Sequence, residues 1–105
     1  MPIAFGDNRQ TVATAGTAVE LSSTSQRATK VTITAETDNT GIIVVGGSTV
    51  VAALATRRGI PLSAGDSVTF EKKGSESIDL IDIWIDTTVN GDGVTYVYQT
   101  EEYPN

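Results

Sequence analysis

The stretch that most restricts the fold is Ile42-Ile43-Val44-Val45, an unbroken β-branched run stopped by Gly46-Gly47. Val and Ile lose rotamer freedom in a helix and Gly costs backbone entropy there, so the run reads as a short strand. Downstream, Pro61-Leu62-Ser63-Ala64-Gly65-Asp66 supplies a turn, because Gly tolerates positive φ and Asp bonds nearby backbone. It feeds a second strand, Val68-Thr69-Phe70. Between them lies an irregular crossover, in which residues 49–58 carry a helix-like cap and stop in Ser48 and Gly59. The β-branched start of that segment favours a loop or a single turn. The bias is general: 36 residues are Val, Ile or Thr against four Leu and one Met, which favours pleated sheet.

Seven short strands emerge, at residues 17–21, 30–35, 42–45, 68–70, 78–80, 81–86 and 94–98. In 30–35, Val31, Ile33 and Ala35 fall on one face and Thr32 and Thr34 on the other. The apolar phase slips between Leu80 and Ile81, so a bulge or loop is expected there. Asn90-Gly91-Asp92-Gly93 carries the turn residues of a hairpin leading into the last strand. The pattern predicts an all-β chain, an antiparallel β-sandwich of jelly-roll type with one core, a size that 105 residues allow. Residues 1–10 read as an N-terminal arm, 11–99 as the sandwich and 100–105 as a tail. In the arm, Pro2 and Gly6-Asp7-Asn8 discourage regular structure while Ile3 and Phe5 need covering, so it either frays or docks on a neighbouring subunit.

The chain has no Cys and no His, which excludes disulfides, thiol catalysis, Ser-His and Cys-His pairs and the usual zinc sites. Net charge is −6 and unevenly placed: residues 1–60 carry five basic and four acidic side chains, residues 61–105 two and nine. That balance argues against nucleic acid, which needs a concentrated basic face, and fits a solvated acidic half. No apolar run approaches the roughly 20 residues that span a bilayer, so no membrane partner is expected. The first residues lack a basic segment followed by an apolar run, so no signal peptide is expected either.

Asp79, Asp82 and Asp86 invite a metal or acid–base reading. On one strand, Asp82 and Asp86 would stand roughly 13 Å apart, too far to share a small cation. They are expected to be solvated carboxylates on a strand face. Asp92 and Asp38 lack the spacing of a calcium loop and are explained by turn chemistry. No metal, cofactor or catalytic residue is therefore expected. Trp84 shares a face with Asp82 and either covers a second sheet face or anchors an interface. Arg57-Arg58 is a small basic spot on an acidic protein, either an exposed loop pair or a contact for an acidic partner.

The succession Lys30-Val31-Thr32-Ile33-Thr34-Ala35, then Asn39-Thr40-Gly41 with Ile42 to Gly46, then Pro61 to Val68, and finally Ile83-Trp84-Ile85 resembles small β-sandwich virion proteins of tailed bacteriophages. These are capsid decoration (cement) proteins and related head-fibre modules; Trp84 stands where Tyr is the more usual aromatic. The resemblance spans residues 17–99 and rests on structural motifs. It implies a protein without enzymatic activity, made in the host cytoplasm, that binds the major capsid protein of an assembled head as a homotrimer on the virion exterior. Ile3, Phe5, Arg9, Arg57 and Arg58 are then the capsid-docking candidates and Trp84 the interface anchor. The alternative it leaves open is a carbohydrate- or receptor-binding module of a phage fibre, which calls for clustered exposed aromatics.

Overall fold

A computed structural model describes residues 3–101. The strands are β1 (Ile3–Thr11), β2 (Val19–Glu20), β3 (Arg27–Ala28), β4 (Lys30–Ala35), β5 (Ile43–Gly46), β6 (Ile60–Leu62), β7 (Ser67–Glu71), β8 (Ile78–Asp79), β9 (Trp84–Thr87) and β10 (Gly93–Glu101). Two 3-10 turns, Leu54–Thr56 and Leu80–Asp82, are the helical elements among the described residues. One sheet has the order β1-β10-β4-β7 and the other β2-β9-β5-β6, while β3 and β8 form a small extra pair. Every pairing is antiparallel. Apart from the adjacent pair β5 and β6, each main strand is followed by one in the opposite sheet, which is the winding of a jelly roll.

The core fills the space between the sheets. Val31, Ile33, Ala35, Val94 and Tyr96 face inward from one sheet, and Ile43, Val45, Leu62 and Ile85 from the other. Strand β4 alternates between half-buried and buried residues, as expected of a strand covered on one face. Strand β5 does not alternate: Ile43, Val44 and Val45 are all buried. Val44 belongs to a second cluster with Val50 and Ala52, against which Ala18, Ile42 and Trp84 pack. The crossover between β5 and β6 folds back over its own sheet and covers the outer face. That explains why the run is continuously apolar.

Several sequence expectations change. Residues 3–11 are not a free arm, since β1 pairs with β10 at nine positions, from Ile3↔Glu101 to Thr11↔Gly93. Gly6 has a packing role there. It lies opposite Tyr98, and a Cβ on it would come within 2.3 Å of the Tyr98 ring. Thr100 and Glu101, expected in the tail, belong to β10. The 90–93 turn does not close a hairpin, because β9 and β10 lie in different sheets. The phase slip at Leu80 is absorbed by the 3-10 turn rather than a bulge, so the following strand begins at Trp84, not Ile81.

Candidate functional site

Of the carboxylates that invited a catalytic reading, Asp79 and Asp86 are engaged in holding loops. Asp86 is 1% exposed, so the expected solvated strand-face carboxylate is instead buried under the crossover. Its Oδ1 accepts from the Gly16 amide at 3.0 Å and its Oδ2 from the Ala52 amide at 2.9 Å. One side chain thus pins the loop before β2 and the crossover onto β9. Asp92, 7% exposed, accepts from the Gly41 amide at 2.8 Å and the Thr40 amide at 3.3 Å. Beside it, the Asn39 side chain exchanges two bonds with the Gly93 backbone, at 2.9 and 3.0 Å, imitating a ladder pair. Asp38 and Asp82 are exposed. Among the described residues no three acidic side chains converge as metal ligands.

Asp79 precedes the Leu80–Asp82 turn and accepts from the Ser25 hydroxyl, the Gln26 amide at 3.0 Å and the Ile81 amide at 3.2 Å. The Ser25 hydroxyl above all, then the two amides and the charge of Arg27, hold its carboxyl below the ordinary value against the opposing effect of burial. A folded-state pKa that is depressed stabilises the fold above the unfolded value, near 3.9, and that contribution is lost as pH falls through the folded value. Asp79→Asn should therefore make the acid limb of a plot of melting temperature against pH shallower, as well as loosening the turn. Superimposable acid limbs for the two proteins would exclude this role.

The docking candidates are split between the two sheets. Phe5 and Arg9 lie on the outer face of β1, in register with Gln99 and Thr95. Phe5 is 68% exposed and sits diagonally from Val97, itself 50% exposed, while Arg9 pairs with Glu36. The side chain of Ile3 lies outside the described residues. Arg57 and Arg58 belong to the crossover, on the outer side of the other sheet. Arg57 is half-buried, and its Nε donates to the Ala52 carbonyl at 2.9 Å; Arg58 is exposed. Trp84 packs in the covered cluster of the second sheet face, half-buried, which favours that role over a bare anchor. Sequence reasoning missed Leu54, 80% exposed at the 3-10 turn of the crossover. The signal was available: Leu54 stands amid Ala53, Ala55 and Thr56, with no alternation to turn it inward.

Compared with protein-family models, curated proteins and solved structures, the chain gives no significant match.

Proposed function

We propose that this chain is a non-enzymatic binding protein that decorates an assembled bacteriophage head as a trimer on the virion exterior. The observation that carries this reading is where the side chains go. Asp79, Asp86 and Asp92 serve as acceptors for loop amides, while the two most exposed large apolar groups each share a surface element with a basic side chain. Leu54 shares the crossover with Arg58, and Phe5 shares the outer face of β1 with Arg9. Because these two patches lie on opposite sheets, they serve different contacts. The crossover meets the major capsid protein, and the Phe5–Val97 strip meets a second copy of the chain. The fibre alternative draws less support, since Tyr96 is buried in the core and Tyr98 and Trp84 are half-buried.

The deciding experiment mixes the purified chain with assembled heads and, separately, with free major capsid subunits. Binding to heads alone supports decoration; binding to neither removes it. Sedimentation at micromolar concentration should report three chains, and a monomer across that range would oppose the trimer. Exposed charges tune association rate and salt sensitivity, whereas an apolar anchor tunes residence time. Arg58→Ala should therefore slow head binding and flatten its salt dependence, and Leu54→Ser should hasten dissociation, both without lowering the melting temperature. Arg57 is the poorer probe because its side chain also closes the crossover. Wild-type kinetics in both variants would move the docking face elsewhere.

A further inference from the structure

A cleft of about 270 Å³ opens between β3, the turn after β7 and the end of β10. Two cationic side chains, Arg27 and Lys72, and four hydroxyl-bearing ones, Thr29, Ser75, Ser77 and Thr100, line it. No described lining residue is acidic, in a chain with thirteen acidic side chains against seven basic. The local fold builds this arrangement. The Lys72 amide donates to the Thr29 carbonyl at 2.7 Å, closing the turn against the junction of β3 and β4. Gly74, at φ +64°, reverses the chain, and the Glu76 amide returns to the Lys73 carbonyl at 3.2 Å. Ser75 and Ser77 then line the cleft while Glu76 between them does not. On the opposite wall, Arg27 and Thr29 flank the buried Ala28.

The Arg27 guanidinium makes no salt bridge among the described residues. The carboxylate facing it across the β3–β8 pair, Asp79, is already held by the Ser25 hydroxyl and the Gln26 and Ile81 amides. Lys72 has a partner of its own, and the Thr29 hydroxyl donates to the Gln99 carbonyl at 3.3 Å, so the donors that matter are the Arg27 fork and the Ser75, Ser77 and Thr100 hydroxyls, with Thr29 as an acceptor. A planar guanidinium matches carboxylate and phosphate oxygens in a two-point contact. Serine and threonine hydroxyls both donate and accept, which suits the hydroxyls of a sugar. The volume falls just below the range of about 300–1,000 Å³ typical of drug-sized ligands, which leaves room for one monosaccharide unit.

From these features we infer that the cleft binds an acidic sugar unit, its carboxylate on Arg27 and its hydroxyls on Thr29, Ser75, Ser77 and Thr100. This site is separate from the crossover and does not depend on head decoration. The test is an amide-resolved NMR titration of the full chain with glucuronate, glucose and inorganic phosphate, at matched ionic strength. Glucuronate should shift the amides of residues 27–29 and 72–77 with a dissociation constant in the low-millimolar range, and glucose should not. Arg27→Ala, at an exposed position, should keep the melting temperature and weaken glucuronate about tenfold or more, as expected for loss of a charge-assisted pair. Absence of shifts with glucuronate would overturn the site. Equal shifts with phosphate would show that the cleft reads charge alone and would overturn the sugar assignment. Unchanged affinity in Arg27→Ala would overturn the role of the guanidinium.

Discussion

Replacing Asp86 by alanine is expected to lower the melting temperature by about 10–20 °C. The estimate follows from the two amides that would lose their acceptor. Gly16 and Ala52 both donate to this side chain, at 3.0 and 2.9 Å, the Ala52 bond buried under the crossover and the Gly16 bond partly exposed in the loop before β2. Leaving the buried Ala52 donor unpaired costs about 1–3 kcal/mol and the partly exposed Gly16 donor less, so the two together cost roughly 2–4 kcal/mol. In a domain whose whole stability is about 5–15 kcal/mol, that is a large share. Asp86→Asn should fall between the two, because an asparagine offers one acceptor oxygen where two are used. Its amide group would then face one of the N–H donors. Hydrogen exchange at Gly16 and Ala52 is the sharper readout: both should lose protection in the alanine variant, and one in the asparagine variant. A variant as stable as wild type, with both amides still protected, would mean that water replaces the carboxylate without penalty.

An effect of similar size is expected at Gly59, by a different route. This residue has φ +120°, a conformation that L side chains rarely adopt. A Cβ here would also lie 2.6 Å from Val44 Cγ1, 2.7 Å from the Val45 carbonyl oxygen and 2.8 Å from Val50 Cγ2. Backbone strain of about 1–3 kcal/mol adds to about 1–3 kcal/mol for overpacking. Gly59→Ala should therefore cost about 2–6 kcal/mol, read as a fall of about 10–30 °C in melting temperature. The comparison with Gly47→Ala separates the causes, because a Cβ on Gly47 meets nothing within 4 Å and needs no positive φ. If the two substitutions were equally mild, the crossover would not press on β5 as described.

Much of the fold was legible where information is local. The alternation of Lys30 to Ala35 matches β4 residue for residue, and the uninterrupted apolar run at Ile42 correctly marks a strand. What local patterns miss is which partner a segment meets. Gly6, Asp7 and Asn8 read as breakers, yet they sit in β1 because β10 offers them a ladder and Tyr98 covers the glycine. The Asn-Gly-Asp-Gly turn has hairpin residues, but turn chemistry does not specify which sheet the next strand joins. Asp86 looked solvated because strand periodicity assigned it an outer face, and only the crossover determines whether that face is wet. A clue was present: β5, its neighbour, is apolar on both faces, so something must cover both. The candidate site was less legible still. The cleft around Arg27 combines residues 27–29 with Lys72, Ser75, Ser77 and Thr100, which no sequence spacing links.

The pairing of β1 with β10 also imposes an order of events during synthesis. Their partners are separated by roughly 80–100 residues of chain, so the outermost ladder of this sheet closes across nearly the whole described length. At about 5–20 residues per second, β1 leaves the ribosome several seconds before its ladder partner β10 exists. Through that interval the chain holds a nine-residue edge with Phe5 exposed and no neighbour. Such a segment is open to pairing with other nascent chains, and non-local closure of this kind folds in milliseconds to seconds rather than microseconds. The charged Asp7 and Arg9, on the same outer face as Phe5, are the residues placed to discourage that premature pairing.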